Sequence, residues 1–356
     1  MKVVVGMSGG VDSSVAAYLL KKAGYDVEGV SLALYEARGG RKDICCSVEA
    51  VNAAGATARM LGIRHTVVNL REEFMGLVIE PFIEAYSKGL TPNPCILCNR
   101  HIKFPYLTKE AERRGAGFIS TGHYAQVEDG LLKKGLDPAK DQSYALYVLR
   151  EEELRRLVLP LGGLRKAGVR AMASKLGLPA AERPESQEIC FVGDMKCNDF
   201  LSGLLPDSEG PVIGPEGNII GRHKGLYRYT IGQRKRLGVS SPTPLYVTRI
   251  DPVENAVHVG PKEAALKREF KVSGINRLGQ VAPTTGTAPI SEGPVAPFRA
   301  GVRVRSMMKE APATIHMDGE DSCRVVYDSP QWAPAPGQSA VFYEGETVLG
   351  GGVICL

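Results

Sequence analysis

The chain has no apolar run approaching the length of a membrane span, so a helical membrane protein is excluded by sequence. Its opening, Met1-Lys2-Val3-Val4-Val5-Gly6, supplies one lysine and a β-branched run that meets glycine at once. That run is too brief for the core of a secretory leader and reads as a buried first strand, so a cytoplasmic protein is expected. Cysteine is sparse, with eight in 356 residues, too few to staple a scaffold. In a reducing compartment such thiols are expected to be reduced, metal-bound or catalytic, so their positions matter. Charge of one sign is also in short supply. A formal net charge of +5 neither demands nor excludes a nucleic-acid partner, and local clustering has to decide.

What is present is enough apolar residue, 44% of the chain, for sizeable cores, and the length predicts two or three domains. The first third alternates β-rich and helical patterns: strands at 3–5, 27–34, 66–70 and 118–121, helices at 12–23, 48–61, 72–86 and 104–114. Alternation of this kind predicts an α/β, doubly wound parallel sheet. Residues 151–176 read as helical with a break at Pro160. After about Pro206 the texture becomes short β-branched runs punctuated by Gly and Pro. A catalytic domain over 1–205, a small central domain over 206–267 and a C-terminal β-barrel over 268–356 are therefore expected, with a long loop near 282–297.

Between the first strand and first helix lies Gly6-Met7-Ser8-Gly9-Gly10-Val11-Asp12-Ser13-Ser14. Backbone N–H groups and the helix dipole favour an anion there, and small residues let a phosphate come close. A plain strand-to-helix turn capped by Asp12 or Ser13 is the alternative. The loop lacks the lysine of a Walker A motif, so it does not look built for cleavage between the β and γ phosphates. Further on, Thr91-Pro92-Asn93-Pro94-Cys95-Ile96-Leu97-Cys98-Asn99 presents two thiols from a Pro-rich segment. By itself a Cys-x-x-Cys reads as half a zinc site or a redox pair, but a second one is missing. A third segment, Glu185-Ser186-Gln187-Glu188-Ile189-Cys190-Phe191, adds another thiol.

The run Ser8-Gly9-Gly10-Val11-Asp12-Ser13-Ser14 resembles the pyrophosphate loop (PP-loop) of the ATP pyrophosphatases, adenine-nucleotide alpha hydrolase-like proteins that transfer AMP to an oxygen. With the two cysteine segments, Thr121-Gly122-His123-Tyr124-Ala125, Lys140-Asp141-Gln142-Ser143-Tyr144, Gly221-Arg222-His223-Lys224-Gly225-Leu226, Tyr229-Thr230-Ile231-Gly232-Gln233-Arg234-Lys235 and Pro336-Gly337-Gln338-Ser339-Ala340, the chain resembles the tRNA-specific 2-thiouridylase family over essentially its whole length. The resemblance implies ATP-dependent 2-thiolation of a wobble uridine in tRNA through an adenylated C2 oxygen. It implies a nucleophile at Cys98, a persulfide carrier at Cys190, and a closing disulfide between them. It implies ATP with Mg2+ on Gly6, Met7, Ser8, Gly9, Gly10, Val11, Asp12, Ser13, Leu32 and Gly122, with Asp12 also catalytic. It implies tRNA contacts at Asn93, Pro94, Cys95, His123, Lys140, Asp141, Gln142, Arg305, Ser306 and Gln338, and a sulfur donor that is a cysteine desulfurase, a relay protein or sulfide.

Three departures carry weight. Leu32 stands where many relatives have methionine, and Ser306 where an aromatic residue is common, so Ser306 offers no ring for a base to stack on. Cys95 stands where well-known relatives have aspartate. With Cys98 and Cys190 it makes three soft ligands, the number that leaves one iron of a [4Fe-4S] cluster open to hydrosulfide, so a cluster on Cys95, Cys98 and Cys190 is an alternative to the persulfide. Zinc or a Cys95–Cys98 redox pair are the plainer readings. Cys45 and Cys46, Cys197, Cys323 and Cys355 are expected to be structural or incidental. The basic run Arg222, His223, Lys224, Arg228, Arg234, Lys235 and Arg236, with Tyr227 and Tyr229, is able to neutralise phosphates, and Arg303 and Arg305 share one face of a strand. The competing functions are an amine-transferring, ligase-like ATP pyrophosphatase, which leaves the cysteines without a task, and a non-catalytic, metal-stabilised RNA-binding protein.

Overall fold

The computed structural model describes residues 1–35, 48–182, 189–193, 195–278 and 296–355. Cys45, Cys46, Glu185, Ser186, Gln187, Glu188 and most of the loop expected near 282–297 lie outside the described residues. Two compact units divide the chain: 1–79 with 94–195 and 346–348, and 80–93 with 196–345 and 349–356.

The first unit is built on five parallel strands. β1 (Lys2–Gly6) carries three consecutive fully buried valines, as a central strand covered on both faces requires. It leads into α1 (Val11–Lys22), β2 (Asp26–Ala33), α2 (Val48–Leu61) and β3 (Arg64–Asn69). Gly24, at φ +84°, stops α1: Ala23 N–H donates to Leu19 and Tyr25 N–H to Leu20 around it, the left-handed ending that glycine adopts most easily.

Two long helical stretches follow, each interrupted by a π-helical turn. The first is α3 (Arg71–Phe74), the π turn Met75–Ile79 and α4 (Glu80–Ser87). The second is α5 (Pro94–Cys98), the π turn Asn99–Lys103 and α6 (Phe104–Arg113). Beyond them lie β4 (Phe118–Ser120), the hairpin β5 (Ala125–Glu128) and β6 (Leu131–Lys134), α7 (Ser143–Leu146), α8 (Glu151–Arg156), β7 (Leu157–Val158) and α9 (Lys166–Lys175). The sheet order is β3-β2-β1-β4-β7, every pair parallel. The helical expectation over 151–176 is corrected here. Leu157 and Val158 pair with Ile119 and Ser120 as the last strand of the sheet, and helix resumes only at Lys166. Val15 and Ala16 of α1 pack with Val169 and Ala173 of α9, while Ala17 and Leu20 pack with Ala54 and Ala58 of α2.

The second unit contains α4 and α10 (Cys197–Ser202) and two β-structures. β8 (Gly210–Ile213), β9 (Ile219–His223), β10 (Tyr246–Asp251) and β11 (Ala256–Gly260) form a sheet of order β10-β11-β8-β9. β12 (Leu266–Arg277), β13 (Phe298–Arg303), β14 (Ala311–Met317), β15 (Ser322–Trp332), β16 (Ser339–Glu344) and β17 (Thr347–Ile354) follow one another in the order β12-β15-β14-β13-β16-β17. Pairing of β12 with β17 closes this barrel, which removes its open edges. Val302, Ile315, Val325, Tyr327 and Phe342 fill it. The parallel α/β sheet, the small central domain and the C-terminal barrel expected from sequence are thus what the chain forms. Among the described residues no helix is long and apolar enough to cross a membrane.

Candidate active site

The loop after β1 is held by its own serines. Ser13 Oγ accepts from Ser8 N–H and donates to Gly10 O, both at 3.2 Å, and lies 3.2 Å from Ser8 Oγ. α1 begins at Val11, and Gly10 before it supplies no side-chain cap, so the capped-turn alternative does not describe it. Two glycines are required by closeness. A Cβ on Gly9, at φ +73°, would fall 2.0 Å from Ala50 O, and one on Gly122 would fall 2.7 Å from Ser13 N and 2.8 Å from the carbonyl carbon of Asp12.

Asp12 does not face solvent alone. Lys166 Nζ reaches its two carboxylate oxygens at 2.7 and 2.6 Å, and Tyr124 Oη donates to Oδ1 at 2.7 Å. Lys166 is itself buried, so each charge neutralises the other. Beside the loop, Ser31 of β2 donates to Met7 O at 2.6 Å and stands 2.8 Å from His65 Nε2. With its hydroxyl proton on Met7, Ser31 accepts from the imidazole N–H. Burial, then the charge of Arg59, holds His65 below the usual histidine range.

A cavity of about 330 Å³ in the first unit opens over this loop. Gly6, Met7, Ser8, Asp12, Ser13, Leu32 and Gly122 line one part of it, and Pro94, Cys95, Cys98, His123, Gln142 and Cys190 also line it. Gly9, Gly10 and Val11 form the loop behind. Cys98 ends α5 and is buried, Cys95 is exposed on the same helix, and Cys190 is half-buried. Cys190 is positioned by its neighbour: Phe191 packs edge-on against Phe74 and Tyr35, with ring centroids 5.8 and 6.4 Å apart.

The donor set suits an adenine nucleotide better than a metal. Small loop residues and helix N–H groups fit phosphates, and the volume is that of a small-molecule pocket. Among the described residues Asp12 is the one carboxylate lining the cavity, and it is already bonded to Lys166 and Tyr124, so Mg2+ would enter on the phosphates rather than into a protein-built cage. The three-thiolate reading gains no support from the arrangement of the described thiols. Among the described residues no three His, Cys, Asp or Glu side chains stand close enough to hold a metal ion. Cys95 is exposed on α5, while Cys98, three residues on, is buried. A [4Fe-4S] cluster therefore does not fit the residues as arranged.

The other expected contacts divide. Asp141 organises a turn, accepting from Gly135 N–H and from the Ser143 N–H and hydroxyl at 3.0 Å each. Gln142 accepts from Tyr124 N–H at 2.9 Å, and Lys140 is half-buried beside it. Asn93, Arg305, Ser306 and Gln338 belong to the second unit. There Arg305 donates to Ile231 O at 2.8 Å and Ala333 O at 3.1 Å, and Gln338 donates to Thr91 O at 2.6 Å. Ser306 is exposed.

The basic run is corrected in part. His223 is buried, its ring bonded to Asn255 O at 2.9 Å and Gly225 N–H at 3.1 Å, and Arg228 pairs with Asp207 at 2.9 Å. Arg303 is buried as well, paired with Glu310 at 3.1 Å and stacked over Tyr343. Arg234, Lys235 and Arg236 are exposed. Cys323 is a structural thiol, pushed up to about 12 by burial and then by Asp318. Sequence reasoning missed Lys166, Lys103 and the Ser31–His65 pair, because nothing near a lysine or serine in sequence marks its distant partner.

Family models match the chain almost end to end: a tRNA methyl transferase HUP domain over 1–194, a tRNA methyl transferase PRC-barrel domain over 198–261 and an aminomethyltransferase β-barrel domain over 268–354. The chain is 43% identical over 370 residues to the tRNA-specific 2-thiouridylase MnmA of Clostridioides difficile strain 630, covering 99% of this chain and 98% of that protein. It is 44% identical over 361 residues to the protein of the same name from Chloroflexus aurantiacus strain J-10-fl, covering 99% and 98%. Among solved structures, a 4-thiouridine synthetase in complex with RNA and ATP matches at TM-score 0.38 and 22% identity, over 54% of this chain and 45% of that one.

Proposed function

The chain belongs to the tRNA-specific 2-thiouridylase family, and from that premise we propose that it adenylates the C2 oxygen of a wobble uridine in tRNA and replaces that oxygen with sulfur carried as a persulfide on Cys190. It is an ATP-using tRNA-uridine 2-sulfurtransferase. The observation that carries the finer reading is that the phosphate loop, Cys98 and Cys190 line one cavity. A ligase-like use of the loop gives those thiols no task.

The chemistry follows from what each group has to supply. The C2 oxygen of uridine leaves poorly until it carries AMP, and ATP supplies that group with loss of pyrophosphate. The loop amides and Ser13 hold the phosphates, while Lys166 and Tyr124 fix the Asp12 carboxylate beside them. The terminal sulfur of the Cys190 persulfide attacks C2, a carbon–sulfur bond forms, and AMP leaves with the former carbonyl oxygen. Cys98 thiolate then attacks Cys190 Sγ, which breaks the sulfur–sulfur bond to the base and leaves 2-thiouridine and a Cys98–Cys190 disulfide. An external dithiol returns both cysteines to the thiol state. A cysteine desulfurase or a relay protein reloads Cys190, and the setting is the cytoplasm. The base must leave the anticodon stack to reach such a cavity, and the exposed Arg234, Lys235 and Ser306 are the side chains offered to the backbone of the tRNA.

The test is pyrophosphate release with and without tRNA, followed by mass spectrometry of the nucleosides. Release that requires tRNA, with 2-thiouridine formed from a persulfide donor, is expected. Release without tRNA would instead favour the ligase-like reading, and no release would favour an RNA-binding protein.

A further inference from the structure

Two charged side chains line the cavity among the described residues, Asp12 and Lys103. The charge of Asp12 is matched by Lys166 at 2.6 Å. Lys103 has no carboxylate within ion-pair distance among the described residues, and the polar group facing it is an imidazole, with Nζ 3.4 Å from His123 Nε2. An ammonium has only protons to give, so Nε2 carries the lone pair, and Nδ1 carries the proton that it donates to Thr121 Oγ1 at 2.6 Å. Burial, then Lys103, holds His123 well below the usual histidine range, as that tautomer demands. The ring is also stacked on Phe104, with centroids 5.8 Å apart and planes 27° apart. His123, expected to touch tRNA, thus has both nitrogens engaged in aiming Lys103.

The backbone says at what the ammonium is aimed. Cys98 closes α5, and the next five residues, Asn99–Lys103, form the π turn. A π turn bonds residue i to i+5, so Cys98 and Lys103 fall on the same side of the helix, where an α-helix would have turned the lysine away. Both side chains line the cavity. Cys98 is buried, and burial alone holds a thiol in its neutral, unreactive form.

We propose that Lys103, aimed by His123 and brought onto the Cys98 face by the π turn, holds Cys98 as the thiolate that attacks Cys190. The thiol proton leaves to water, Lys103 keeps its own, and the electron pair on Cys98 forms the new bond to Cys190 Sγ. The broken bond's pair goes to the departing sulfur, and the external dithiol later reduces the disulfide. This rests on the reading of Cys98 as nucleophile, and the experiment separates the two.

In the full chain, without ATP or tRNA, the rate of Cys98 alkylation by neutral iodoacetamide is followed from pH 6 to 10 by site-resolved mass spectrometry. Lys103→Met, close to lysine in shape, is expected to slow alkylation at pH 7 at least ~10-fold, because a cation at short range lowers an acid's pKa by about 1–3 units. Lys103→Arg should stay within about threefold, and His123→Gln should fall between, as expected for looser aim of the same charge. Thermal melting checks that each variant is folded. An unchanged Cys98 profile in Lys103→Met overturns the proposal, and so does equal slowing in the Arg and Met variants. An unchanged profile with a raised KM for ATP would reassign Lys103 to the phosphates. If Cys98→Ser still thiolates tRNA, the nucleophile reading falls while the alkylation result stands.

Discussion

The two compact units treat their expected functional residues in opposite ways. In the first, residues far apart in sequence are delivered to one cavity, with Gly6, Met7, Ser8, Asp12 and Ser13 of the loop, Leu32, Cys98, Gly122 and Cys190 all lining it. In the second, residues that looked like phosphate ligands are largely engaged inside the unit: His223 in a turn, Arg228 on Asp207, Arg303 on Glu310, Arg305 on two carbonyls. The difference is one of chemistry. A phosphate loop needs small residues and bare amides, which have few other uses at a strand end, whereas a guanidinium binds a carbonyl or carboxylate as readily as a phosphate.

That contrast can be broken at four points. Cys190→Ala should abolish thiolation, a loss of about 10⁴-fold or more as for removal of a covalent nucleophile, while tRNA-dependent pyrophosphate release persists. Loss of both activities would make Cys190 a structural residue. Asp12→Asn leaves the buried Lys166 ammonium without its anion, and steady-state pyrophosphate release should fall about 10²–10³-fold. Normal release would remove Asp12 from the phosphate site. In the second unit, Arg305→Ala should lower stability by about 2 kcal/mol in denaturant titration, since two charge-assisted bonds to carbonyls disappear, and should leave tRNA affinity nearly unchanged. Weakened tRNA binding at unchanged stability would put Arg305 on the RNA face. The smallest effect is expected for Arg234→Ala with Lys235→Ala: the slope of log affinity against log salt should flatten by about one unit for each phosphate that is no longer neutralised. An unchanged slope would make the exposed pair an ordinary solvated surface.

How far each feature could be read ahead follows from where its determinants lie. The strands and helices at 2–33 and the helix at 48–61 were legible because their period and their stop signals are local. β7 was not, since two residues carry no period, and Leu157 and Val158 are a strand only because Ile119 and Ser120 lie beside them. The phosphate loop could be read from its own residues, but the meeting of Cys98 and Cys190 depended on family resemblance. Alternation placed Arg303 and Arg305 on one face of a strand, but β13 ends at Arg303, so Arg305 lies beyond it, and Glu310 and Tyr343 decided that Arg303 turns inward. Lys166 left no local mark, because its partner stands at the other end of the domain's sequence.

The helix α4 and the turn after it have a consequence for how the chain is made. Residues 80–93 are encoded inside the first unit yet pack within the second, where Thr91 N–H bonds Pro336 O, Gln338 bonds Thr91 O, and the space beside Gly89 is closed by Ile250. On the ribosome this segment emerges long before its partners are synthesised. The nascent chain must therefore keep Phe82 and Tyr86, buried in the finished protein, from sticking elsewhere until more than a hundred further residues, among them the Cys197 that meets Tyr86, have been added. A domain that folds first during translation would carry an unsatisfied apolar helix for that interval, a natural target for a holding chaperone.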